Sequence, residues 1–234
     1  MPYRRLPTTD KTRLYALKTL IENDDIYTVR DRFINWKDIN DAHTAYDRLL
    51  TVVTQYELDK SAQARGSKKI SPLQRNAMLY VSHFMSVLKM CVERGEIKRS
   101  MLQLYGLPTN MSALPNLQTA QPLIEWGGKI IEGENLRIKK GGRPIYNPTI
   151  SMVNTHFEIF MEAYAKQKRL QKRTRDNELR LMSMRPEIDA LILRIWNQVE
   201  QHFKGTTVAE RMESCKKYGI IYYLRRKERK KEND

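Results

Sequence analysis

Cysteine is nearly absent: Cys91 and Cys215 are the two in 234 residues, and they form no C-x-x-C pair. A disulfide-stapled scaffold, a zinc-ribbon spacing and a thioredoxin-like motif are therefore all excluded, and isolated thiols suit a reducing cytosol. Glycine (10) and proline (9) are too few for a collagenous or linker-like chain. No run of about 18 apolar residues occurs, and the opening MPYRRLPTTDKTRLYAL lacks the apolar centre of a signal peptide. No membrane insertion and a cytoplasmic location are the expectations.

The chemistry-bearing residues are equally sparse. His43, His83, His156 and His202 fall on separate predicted helices, in neither an H-E-x-x-H nor a Glu-x-x-His pattern. His156 and Glu158 are two apart and so face different sides of a helix. Cys91 and His83 share a face but stand about 12 Å apart along the axis, too far for a nucleophile–base pair, and Cys91 reads as a small buried hydrophobe. No G-x-S-x-G elbow or P-loop is present. Catalytic, metal and cofactor residues are accordingly assigned to none.

What the chain does have is helical periodicity and positive charge. Its 41% hydrophobic and 29% charged residues describe a globular, helix-prone protein, and at this length a core forms without staples. Thr8, Thr9 and Asp10 offer caps to a helix carrying Leu14, Leu17 and Ile21, which Asn23 should stop. A second helix from Trp36 buries Ile39, Ala42, Tyr46, Leu49, Leu50, Val53 and Tyr56 and ends before Gly66, with a loop over 65–69. Ser71-Pro72 has the cap-then-proline form that opens a third helix, running to Arg94 and closed by Gly95. A short helix over 100–105 precedes a stretch broken by Gly106, Pro108 and Pro115.

Thr119 caps a fourth helix to Ile138, with Leu123, Trp126, Ile130, Ile131 and Leu136 inside; its glycines weaken it or admit close helix contact. Asn147-Pro148 opens the longest helix, to Met184, whose apolar stripe thins beyond Ala165 to Leu170, Leu179 and Met182. Arg185-Pro186 resets the chain before a strongly amphipathic helix with Ile188, Leu191, Ile192, Ile195, Val199 and Phe203 inside. Thr206 or Thr207 caps a short helix to Lys217, and residues 220–224 have strand composition. The fold class expected is all-α: an antiparallel bundle of about five long helices plus short helices, with one short C-terminal strand. It reads as a single helical domain over 1–234, or as subdomains 1–105 and 119–224, ending in a basic mobile tail at 225–234.

Several segments together resemble a family of uncharacterised bacterial all-helical proteins of similar length. They are the opening MPYRRLPTTDKTRLYAL, YVSHF at 80–84, RGEI at 94–97, YGLP at 105–108, WGGKIIEGENLRIKKGGRPIYNPT at 126–149 and IWNQVEQHFK at 195–204. The resemblance implies a compact intracellular bacterial protein and assigns no functional residue.

The net charge of +15 directs attention to anionic partners. Three segments are candidate anion or nucleic-acid sites. In the loop 139–144, Lys139, Lys140 and Arg143 supply charge and the glycine pair can expose N–H groups; the plainer reading is a helix C-terminus with a glycine stop. Lys168, Lys172 and Arg175 share one face of the long helix, as a phosphate-binding stripe or as a solvated face. Arg225, Arg226 and Lys227 follow the aromatic strand, which either stacks bases or docks on the bundle or pairs with the arm at 3–6. The function these features favour is a non-enzymatic binding or scaffold protein, taking a protein partner or a second copy of itself. Sequence-independent nucleic-acid binding through the basic helix and tail is the alternative.

Overall fold

A computed structural model describes residues 3–24, 32–110 and 113–223, and bears out the all-α class. In order come β1 (Tyr3–Arg5), α1 (Asp10–Asp24), α2 (Trp36–Glu93), a 3-10 turn (Arg99–Tyr105), α3 (Ala120–Lys139), α4 (Ile150–His202), a 3-10 turn (Phe203–Gly205), α5 (Val208–Lys217) and β2 (Ile221–Tyr223). The chain forms two compact units, Met1–Asp59 with Arg173–Asp234, and Lys60–Lys172. The division crosses α2 and α4; the stretch at 106–118, where the sequence suggests a break, lies within the second unit and buries Leu107 and Leu117 there.

Two expected interruptions are absent. Residues 65–69 and Pro72 lie inside α2, and Pro186 lies inside α4. An interior proline costs about 3 kcal/mol, yet each of these helices carries long buried stripes that more than offset it. Ile39, Ala42, Leu49 and Val53 precede Pro72 and Ala77, Val81, Phe84 and Leu88 follow it; Ile188, Leu191, Ile192 and Ile195 follow Pro186. Through the middle of α2 the three-and-four spacing persists in the polar and small residues Asp59, Gln63 and Gly66 before Ile70 resumes the apolar stripe, so apolar periodicity alone misses it. The start of α4 also differs: Thr149 Oγ1 accepts the Met152 N–H at 3.3 Å, so the cap is Thr149 rather than Asn147.

In the first unit α1, the early part of α2 and the late part of α4 enclose Leu17, Leu20, Ile39, Leu49, Ile192, Ile195, Trp196 and Val199. Asp38 meets Arg194 and Gln198, whereas Asp59 meets Arg173 and Asn177, so these parts of α2 and α4 run antiparallel. Arg13 grips Asp189 at 2.8 and 2.7 Å and Arg185 grips Asp10 at 2.8 Å twice. The Arg185 hydrogen bonds hold the Asp10 carboxyl below its ordinary value. Thr207 and Glu210 form a full capping box on α5. Beyond Gly219, at φ +80°, β2 pairs antiparallel with β1, Arg4 opposite Tyr222. The apolar strand thus finds the N-terminal arm; Ile220 is buried and Tyr222 donates to Glu200 at 2.7 Å.

The second unit packs the later part of α2, the first 3-10 turn, α3 and the early part of α4 around Val81, Phe84, Leu88, Tyr105, Leu123, Ile130, Val153 and Phe160. Tyr80 stacks on His156 at 3.9 Å. Gly127 and Gly133 admit close contact: a Cβ at Gly127 would stand 2.2 Å from the Phe157 ring, and one at Gly133 2.6 Å from Tyr105. Gln167, buried where the apolar stripe thins, donates to the Gln63 carbonyl and to Ser67 Oγ over Gly66.

Candidate functional site: a cationic cleft beside the glycine loop

The buried face of α3 is not wholly apolar. Leu123, Gly127, Ile130, Glu134 and Arg137 recur at four-and-three spacing, so the last two turn into the core, while Leu136, expected inside, is exposed. Glu134 has no exposed surface and Arg137 is 5% exposed. Such charges survive burial only when every strong partner is in place. Arg137 Nε and Nη2 donate to the two Glu134 oxygens at 2.8 and 2.7 Å, Nη2 also to the Arg143 carbonyl at 2.7 Å, and Nε to Tyr105 Oη at 2.9 Å. Tyr105 Oη donates to Glu134 at 2.5 Å and the Ile145 N–H donates to Glu134 at 3.2 Å. Burial alone would raise the Glu134 carboxyl; the bonds from Arg137 and Tyr105 outweigh it and hold the group below its ordinary value. Burial first, then Glu134, pushes the Tyr105 phenol well up.

This network fixes the loop after α3. Gly141, at φ +88°, ends the helix, and the N–H groups of Lys140, Gly141 and Gly142 bond back to carbonyls of residues 136–138. They are therefore spent on the helix terminus and not offered to an anion. Gly142 passes so near Arg137 that a Cβ there would lie 2.6 Å from Nη1. Ile145 is buried and Tyr146 points outward, 77% exposed.

Against this loop lies the end of α2, turned by Gly95 at φ +78° so that Ile97 enters the core and Glu96 and Lys98 stay exposed. Between them is a cleft of about 900 Å³. Lys98, Arg137, Lys140 and Arg143 line it with a single carboxylate, Glu96; Val87, Cys91 and Met101 supply an apolar wall, and Tyr146 stands at it too. Arg137 Nη1 makes no hydrogen bond to the described residues. Cys91 is half-buried, not fully buried as its stripe suggests, and its thiol is pushed up by burial and then by Glu96, the reverse of what a nucleophile needs.

Of the residues singled out by charge, Lys140 and Arg143 line the cleft and Lys139 is exposed outside it. Lys168, Lys172 and Arg175 are exposed on α4, Lys168 lying 5.4 Å over the Tyr164 ring. Arg225, Arg226, Lys227 and the rest of the tail lie outside the described residues. Arg137, Glu134, Tyr105 and Lys98 escape a reading by charge runs; the available signal was a charged pair at core spacing on α3. Among the described residues no helix is long and apolar enough to cross a membrane, and no group of three or more His, Cys, Asp or Glu is placed to hold a metal ion. No known family's model, no curated protein and no solved structure matches the chain.

Proposed function

We propose that the protein is a non-catalytic binding protein of the bacterial cytoplasm, related to the helical family it resembles, and that it recognises an acidic segment of a protein partner through the cleft beside residues 140–147. The observation that carries this reading is the lining: Lys98, Lys140 and Arg143, with the buried Arg137 behind an internal counter-ion, against Glu96. Cations converging on a concave site steer and hold an anionic partner. The test is fluorescence anisotropy of a labelled Asp/Glu-rich peptide against the full chain at low salt. Binding should weaken roughly tenfold in Lys140→Glu/Arg143→Glu, about 1.4 kcal/mol. No binding by the wild type, an unchanged variant, or turnover of a substrate class in an activity screen would defeat the reading.

Exposed Lys168, Lys172 and Arg175 on α4 favour a second reading, sequence-independent nucleic-acid binding. Retention of mixed oligonucleotides, lost steeply between about 50 and 200 mM salt and weakened in Lys172→Glu/Arg175→Glu, would put it ahead.

A further inference from the structure

We infer that the group this cleft holds is a phosphate monoester, taken as its dianion, with Lys98, Lys140, Arg143 and the unpartnered Nη1 of Arg137 as its donors. The inference rests on the cleft being the recognition element and adds the chemistry of the ligand. Charge is the first argument. Glu134 balances Arg137, and Glu96, which also meets Arg94 at 3.7 Å, offsets at most one of the three remaining lining cations, so the excess is at least two positive charges, enough for the dianion of a monoester near neutral pH. Geometry is the second. Lys98 comes from the turn after α2, whereas Lys140 and Arg143 come from the loop after α3, so donors approach from two sides. A tetrahedral group with three acceptor oxygens accepts such donors better than a planar carboxylate does.

The third argument is the held guanidinium. Arg137 lines the cleft, is 5% exposed and is fixed through Nε and Nη2 by Glu134 and the Arg143 carbonyl, which leaves Nη1 as its one nitrogen without a hydrogen bond to the described residues. A donor held in this way loses little freedom when it binds. Finally, about 900 Å³ exceeds what one phosphate fills, and Val87, Met101 and Tyr146 offer apolar surface to the carbon part of an ester.

The ester has two sources, a phosphorylated side chain of a partner or a small phosphorylated compound, and both enter the test. The full chain is titrated calorimetrically with phenyl phosphate, benzoate, and a phosphotyrosine peptide with its unphosphorylated twin. Phenyl phosphate should bind at least tenfold more tightly than benzoate, and Lys140→Ala/Arg143→Ala, both exposed positions, should lose at least tenfold with an unchanged circular dichroism spectrum. Affinity should fall roughly tenfold from pH 7.5 to 5 as the ester, with a second pKa of about 6, becomes a monoanion. No histidine lines the cleft; the titratable and charged groups that face it are Glu96, Lys98, Arg137, Lys140, Arg143, Cys91 and Tyr146.

A phosphopeptide binding more tightly than phenyl phosphate identifies a protein source and upholds both readings; equal affinity identifies a small compound, which upholds the inference and removes the protein partner. Benzoate binding as well as phenyl phosphate, affinity independent of pH, or an indifferent double variant overturns it. Acidic peptides that bind where phenyl phosphate does not would overturn this inference and leave the binding role standing; failure of both ligands removes both.

Discussion

Replacing Glu134 by glutamine isolates the buried charge that holds the cleft together. The side chain has no exposed surface and accepts from Arg137 at 2.8 and 2.7 Å, from Tyr105 and from the Ile145 N–H. Glutamine keeps one acceptor oxygen, enough for Tyr105 or for the Ile145 N–H but not for both, and leaves Arg137 as an uncompensated cation at 5% exposure. Removing one partner of a buried pair costs about 3–5 kcal/mol, and the retained acceptor puts Glu134→Gln near the lower end, about 3 kcal/mol. In a chain of this size that lowers the melting temperature by roughly 6–12 °C. The assay is urea unfolding together with hydrogen exchange, in which amides of residues 120–172 should lose protection while those of α1 and α5 keep theirs.

The companion variant, Glu134→Leu/Arg137→Met, removes both charges and should cost less than the sum of its single changes, because neither charge is left stranded. A loss below about 1 kcal/mol for Glu134→Gln, or strict additivity in the double variant, would refute the claim that the pair is held by mutual burial.

The same pair gives a pH dependence. Glu134 sits below its ordinary value of 4.5 when folded, so its contribution is fully present above the unfolded value and is lost as pH falls through the folded one. The stability difference between wild type and Glu134→Gln should be flat above about pH 5 and shrink below it, as urea midpoints across that range will show. Gly127→Ala should cost about 1–3 kcal/mol, since its Cβ would meet the Phe157 ring at 2.2 Å, whereas Gly128→Ala meets nothing within 4 Å and should stabilise α3 by up to about 1 kcal/mol; paired thermal melts separate the two. Ending the chain before Ile220 strips a residue that is 1% exposed, the Tyr222–Glu200 bond and the partner of β1, and should lower stability by at least about 2 kcal/mol in urea unfolding.

Periodicity and caps in the sequence alone determined the helical class, the start of α1 within Thr8, Thr9 and Asp10, the glycine stops at Gly95, Gly141 and Gly219, and most of the core. These are local: a cap or an amphipathic stripe acts within a few residues, whatever surrounds it. Local rules misplaced the breaks at 65–72 and 185–186, because a proline's cost is fixed and small beside the burial of a stripe on either side of it. Only the tertiary structure decided that β2 meets β1, that Gly66 makes room for Gln167, and that Gly142 lies over Arg137. The cleft was legible only in part. Lys140 and Arg143 stand out as a charge run, but Lys98 reaches the same site from a separate element. Arg137 and Glu134 look like ordinary helix-surface charges until packing buries them, for a charge becomes costly, and so informative, only once a neighbouring element excludes water from it.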